Sequence, residues 1–144
     1  MRDIYGNILT EHKRSIIKPN HEWPDDVNRA LSWIEQNLFC PNYSVEKMML
    51  ECNIASKNFS SKFRFYIGET PVTYIKNQRL KMAIKLMQQE ELMGESLGMI
   101  AMVVGYENPS SFNKAFKSVY GVTTLEKRQE LLQEKCQKDM TRKL

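Results

Sequence analysis

Two short polar sets hold most of the side chains in this 144-residue chain that could act on a partner. Lys57, Asn58, Ser60, Ser61, Lys62 and Arg64 form the first; Ser110, Ser111, Asn113, Lys114 and Lys117 form the second. Lysine and arginine neutralise phosphate, lysine and asparagine hydrogen-bond the edges of planar bases, and serine serves as donor or acceptor. Catalysis has no comparable set. His12 and His21 both lie ahead of these residues, so imidazole chemistry is hard to site. Cys40, Cys52 and Cys136 are odd in number and widely spaced, which gives neither a disulfide framework nor a C-x-x-C motif. Cys40 and Cys52 read as buried apolar thiols. Met48, Met49, Met82, Met87, Met99 and Met102 read as core filler, and Glu90, Glu91 and Glu95 as a solvated loop. No P-loop, G-x-S-x-G or H-E-x-x-H pattern occurs. The expectation is no catalytic residue, no metal and no cofactor.

The elements that position the two polar sets are copies of one pattern. Ser44, Met48 and Asn53 recur as Ser96, Ile100 and Gly105; Phe59, Phe63, Gly68 and Thr70 recur as Phe112, Phe116, Gly121 and Thr123. A one-residue slip separates the two groups, in the stretch just after Asn53 or Gly105. Each copy therefore reads as a short helix, a tight turn and a second helix, a helix-turn-helix written twice. Ser44 and Ser96 cap the first helices, with Asn53 and Gly105 as their left-handed stops. Ser56 and the pair Asn108-Pro109 open the second helices. Phe59, Phe63 and Ile67 face inward in one copy, and Phe112, Ala115 and Phe116 in the other. The polar sets, Lys62 apart, then face outward.

Between the copies, Thr70-Pro71 starts a helix that runs to Gln89 with no further Gly or Pro. Glu90, Glu91 and Gly94 mark its end. Upstream, Pro24 with Asp25 and Asp26 opens a helix carrying Val27, Ala30, Leu31, Ile34 and Leu38 at helical spacing. Downstream, a short helix from Thr123 or Thr124 carries Leu125, Leu131 and Leu132. Residues 1–22 read as a tail or linker, with both histidines in it, and 133–144 as a fraying tail. The expected fold is all-α, with about seven helices and two homeodomain-like helix-turn-helix units, at about 44–68 and 96–121, joined by a linker helix at 71–89.

Charge follows the same division. The net charge is +4 and the pI near 8.9. From 52 to 89, Lys57, Lys62, Arg64, Lys76, Arg79, Lys81 and Lys85 stand against Glu69 alone; Lys114 and Lys117 face no acid between 109 and 121. Acids gather instead at Asp25, Asp26, Glu35, Glu46 and Glu51. Such an arrangement suits a phosphate-facing surface. A linker helix of about 19 residues would be roughly 28 Å long, against ~34 Å for one turn of duplex. A strut of that length could hold two helices in successive major-groove segments, with bending of the duplex making up the difference. Backbone N–H groups at the Ser44 and Asn108 caps could hold phosphate oxygens.

At these residues the chain resembles the DNA-binding domain of the AraC/XylS family of bacterial transcription regulators. The likeness runs from about Asp26 to Arg128. It is carried by GETPVTYIKNQRLKMAIKLM (68–87) and SLGMIAMVVGYENPSSFNKAFKSVYGVT (96–123). The second stretch is similar to the family's I-A dipeptide, G-F/Y turn, F-x-x-x-F-K and closing G-x-T. It departs at Thr124, where proline is usual, and at Lys127, where an aromatic is usual. The resemblance implies two reading heads, with Lys57, Ser60, Ser61, Pro109, Ser110, Asn113 and Lys114 at base-reading positions. Arg79 matches the linker-helix arginine and is expected, with Ser44, Lys62, Arg64, Asn108 and Lys117, to contact phosphate.

The partners expected are double-stranded promoter DNA and RNA polymerase, in the cytoplasm and not in a membrane. The resemblance implies either a stand-alone regulator or the output part of a longer protein with a sensor or receiver domain. The stretch 18–40 is similar to the lead-in of output domains fused to such regulators. The rival reading is a helical protein–protein module that binds a peptide helix. An apolar strip on the outward faces would favour it; Ser, Asn, Lys and Arg favour DNA.

Overall fold

A computed structural model describes residues 4–55, 57–89, 92 and 94–142, and its longer regular elements are all α-helices. In chain order they are α1 (Ile4–Ser15), α2 (Asp25–Asn37), α3 (Val45–Glu51), α4 (Phe59–Ile67), α5 (Pro71–Met87), α6 (Leu97–Val103), α7 (Pro109–Tyr120) and α8 (Thr124–Arg142). The all-α fold expected from periodicity is present. So are the two helix-turn-helix units, α3–α4 and α6–α7, with α5 between them.

Local chemistry explains most boundaries. Ser44, Thr70, Ser96 and Asn108 each accept a hydrogen bond from the backbone N–H three residues on, filling one orphan donor of the helix start. Pro71 and Pro109 occupy the first turn, where the missing N–H is harmless. The two heads differ in one respect. Without a proline to preset its start, α4 begins only at Phe59 and has 9 residues, against 12 in α7. Lys57 and Asn58 thus lie in the turn ahead of α4 rather than on it. The Ser56 cap, and the break at Glu90 and Glu91, fall outside the described residues.

Two apolar cores form, and α5 belongs to both. Its N-terminal half gives Tyr74 and Ile75 to a core with Val27, Leu31, Ile34, Met48, Phe59 and Phe63. Its C-terminal half gives Leu80, Met82, Ala83, Leu86 and Met87 to a core with Ile100, Ala101, Val104, Phe112 and Phe116. Phe39, on the loop after α2, packs against both. The inward Phe pairs are therefore anchors of separate heads on one spine.

Arg79 lies at the middle of that spine and is only 6% exposed. Its Nε donates to the Leu38 carbonyl at 2.7 Å, one Nη to the Gly105 carbonyl at 3.0 Å, and the other to the Cys40 carbonyl at 2.6 Å. Leu38 caps the C-terminus of α2, and Gly105 follows the last turn of α6. The cation thus meets two helix ends that carry partial negative charge. The rings of Tyr43 and Tyr106 lie 5.1 and 5.7 Å from its Cζ. Burial pulls the guanidinium below its ordinary pKa, and Tyr106, Tyr43 and Cys40 oppose that shift. The expected phosphate contact by Arg79 is therefore wrong: each of its nitrogens donates inside the molecule, tying the end of α2 and the turn of the second head to the linker.

Gly105 shows how tight this packing is. Its φ is +105°, and a Cβ there would stand 2.8 Å from Arg79 Cζ and 3.0 Å from the Phe39 carbonyl oxygen. The equivalent stop in the first copy, Asn53, adopts φ 57°. Asparagine suffices for the backbone there; beside Arg79 only glycine leaves room.

Four expectations need correction. Residues 4–15 are helix α1, not tail, and Tyr5, Ile8 and Leu9 pack on the second core while Ile16 enters the first. The stripe was obscured because its next position is His12, which is polar yet only 3% exposed. Residues 133–142 continue α8, since the stretch holds helix formers and no Gly or Pro. Cys40 is exposed, unlike Cys52, because its loop backbone rather than its thiol serves Arg79. Met99 and Met102 lie on the solvent side of α6.

Phe116→Ala should cost about 3–5 kcal/mol of unfolding free energy, measured by denaturant titration, because the ring is fully buried. Gly105→Ala should cost a similar amount, about 3–5 kcal/mol, through backbone strain plus displacement of Arg79 from its carbonyls. Asn53→Ala, which meets a positive φ away from the Arg79 hydrogen bonds, should cost only about 1 kcal/mol. Equal losses at 53 and 105 would show that backbone conformation alone, not Arg79, governs the turn.

Candidate nucleic-acid interface

The outward face of α7 carries Ser110, Ser111, Asn113, Lys114 and Lys117, all exposed. They sit there because Phe112 and Phe116, fully buried, fix the rotation of the helix. Asn108 Oδ1 accepts from Ser111 N–H at 2.8 Å, so its side chain is the cap. Asn113 Oδ1 accepts from the Thr124 hydroxyl at 2.8 Å, which orients the amide and joins α7 to the start of α8. An open groove of about 630 Å³ runs beside this face, lined by Asn113, Lys114, Lys117, Ser118, Thr123 and Leu125. Thr124, itself buried, also lines it.

The equivalent face of the first head carries Ser60, Ser61 and Arg64 on α4, with Lys57 in the preceding turn, all exposed. Phe59 and Phe63 hold α4 in the same rotation that Phe112 and Phe116 impose on α7. Lys62 differs. Its ammonium lies 3.0 Å from Asp26 Oδ2, joining α4 to the first turn of α2. Ser44 Oγ is occupied by Lys47 N–H at 3.1 Å, which leaves its contribution to a phosphate to the backbone.

The positive surface is narrower than the sequence count implies. Arg79 is buried, Lys62 is paired, and Lys85 Nζ lies 2.7 Å from His12 Nδ1. Lys57, Arg64, Lys114 and Lys117 remain on the outward faces, with Lys81 exposed on α5. Among the described residues no three His, Cys, Asp or Glu side chains converge as metal ligands would, and no helix is long and apolar enough to cross a membrane. Sequence reasoning gave no role to Phe65, which is 80% exposed at the far end of α4 with Tyr66 packed edge-on at 5.0 Å. It also missed the His12 contacts, because nothing local signals a histidine whose partners lie 66 and 73 residues away.

Known proteins share this arrangement. The RCS-specific HTH-type transcriptional activator RclR of Escherichia coli K12 is 32% identical over 102 residues, 69% of this chain and 35% of its own length. The C-terminal domain of AraT, a response regulator from Geobacillus stearothermophilus, superposes with a TM-score of 0.65 at 23% identity, over 74% of this chain and 86% of that domain. The DNA-binding domain of the global transcriptional factor AdpA, solved with a target DNA, gives 0.63 at 20% identity, over 74% and 93%. The chain spans from about a quarter to under half the length of the curated relatives it matches. The helix-turn-helix domain family matches residues 50–130, more than half of the sequence. The chain belongs to the AraC-type family of helix-turn-helix transcription regulators.

Proposed function

We propose that the chain binds double-stranded promoter DNA sequence-specifically, with α4 and α7 entering successive major-groove segments. The observation that carries this reading is the repeated facing of the two heads. In each, a buried Phe pair turns a serine-bearing basic surface outward, and both heads are fastened to one 17-residue helix. That helix is roughly 26 Å long, somewhat short of a ~34 Å duplex turn, so a modest bend completes the fit.

Base edges are read by Lys57, Ser60 and Ser61 in the first head, and by Ser110, Asn113 and Lys114 in the second. Phosphates are held by Arg64 and Lys117, with cap-region N–H groups at Ser44 and Asn108. Pro109 offers no donor, so the α7 face reads mainly through Asn113 and Lys114. Acting in the cytoplasm, such a domain would recruit or obstruct RNA polymerase at its site. A sensor or receiver domain on the same protein would supply the signal.

Lys114→Ala should weaken binding to a selected duplex by about tenfold, as should Lys57→Ala, for a lost base contact of ~1–3 kcal/mol. Lys117→Ala should instead lower the salt dependence by about one unit of slope, leaving sequence preference intact. Gel retardation across a salt series checks all three. Equal retardation by the parent and both base-contact variants would remove the assignment.

A further inference from the structure

Helix α1 lies outside both helix-turn-helix units, yet it and the two residues after it reach both cores. Tyr5, Ile8 and Leu9 pack against the second, and Ile16 enters the first. The Tyr74 hydroxyl of α5 accepts from Ile17 N–H at 3.1 Å, closing the far end. Between these ends, His12 is almost fully buried against α5. Its Nδ1 lies 2.7 Å from Lys85 Nζ and its Nε2 2.9 Å from Gln78 Oε1. An ammonium has only donors, so Nδ1 must accept; Nε2 then carries the proton and donates to Gln78. The Lys85 bond requires a neutral ring, whereas the Gln78 bond persists in either form.

We propose that α1 is a second strut that fixes the separation of the two heads and is latched by neutral His12, so that protonating this ring releases the helix and weakens any binding that needs both heads at once. The DNA part rests on the reading given above; the latch does not. A proton on Nδ1 would face the Lys85 ammonium across 2.7 Å with no acceptor between them. The charged groups acting on the ring from α5 are Lys85 and Lys81, both cationic. Phe39 faces it from the loop after α2, with Lys13 of α1 over that ring, and Glu11 and Arg14 are its other charged neighbours along α1.

Burial, then Lys85 and Lys81, hold the imidazole below its ordinary pKa of 6.5, against an opposing contribution from Gln78. The sign follows from linkage. A released α1 takes up the proton first as pH falls through about 6.5, so the latch is complete above that value and is lost below it. His21, the other histidine, is exposed on the α1–α2 loop, away from this contact.

Hydrogen exchange of the α1 amides at pH 7.5 and 5.5, corrected for intrinsic rates, tests the latch in the whole chain. Protection should fall several-fold in the parent and hold steady in His12→Asn, which keeps a neutral acceptor toward Lys85. Lys85→Met, which removes the opposing charge, should shrink the fall, and His21→Asn should leave it unchanged. Binding to a duplex with both half-sites should weaken several-fold at pH 5.5 in the parent relative to His12→Asn. A duplex with one half-site scrambled should show no such difference. Equal protection ratios in the parent and His12→Asn overturn the latch. Loosened α1 amides with unchanged two-site affinity overturn the strut. A chain that retards no duplex at pH 7.5 overturns the DNA reading instead, and the exchange ratios then decide the latch alone.

Discussion

The Arg79 guanidinium ties two stretches of backbone far apart in sequence, Leu38 to Cys40 and Gly105, to the linker helix. Its hydrogen bonds reach the end of α2, the loop after it and the turn of the second head, all from the midpoint of α5. A buried cation is expensive unless its donors are filled. Here helix-end carbonyls and two tyrosine rings fill that role. The consequence is geometric: neither head can rotate about the linker without stripping a carbonyl from the guanidinium. The glycine at 105 and the exposed loop at Cys40 both follow from making room for this one side chain.

With the heads held in this way, the linker helix does two jobs that usually belong to different elements. It is a core helix for each head in turn, changing allegiance between Ile75 and Leu80. It is also the spacer between two outward polar faces. A rigid spacer lets a single chain present two reading surfaces, where other helix-turn-helix proteins pair two copies of one. The positive charge left for that task is modest, because Arg79, Lys62 and Lys85 are engaged within the protein. On the proposed reading, recognition would depend less on bulk attraction than on the small donors and acceptors of α4 and α7.

Much of this was legible beforehand, for reasons that are local. Cap residues three positions ahead of a free N–H, a proline at a helix start, and paired phenylalanines one turn apart act over a few residues, so periodicity and spacing exposed both units and the helix between them. The facing of Lys114 and Asn113 followed from Phe112 and Phe116 by helical geometry alone. Long-range chemistry was not legible. Nothing near Arg79 says that its acceptors lie 26 to 41 residues away, so charge alone suggested a phosphate. Nothing near His12 says that Lys85 will make it a core residue, and a polar side chain in the middle of the stripe hid α1. Lys62 looked like one more surface base until α2 brought Asp26 beside it.

Two-site recognition, as proposed, needs a fixed distance between α4 and α7. The most direct test compares affinity for a selected duplex with affinity for the same duplex carrying about five extra base pairs between the segments read by each head, half a helical turn. Rigid coupling predicts that the insertion turns one segment to the opposite side and drops binding to the level of a single half-site. Undiminished affinity for the lengthened duplex would mean that the heads move independently, and would contradict the claim that Arg79 and α5 set their spacing.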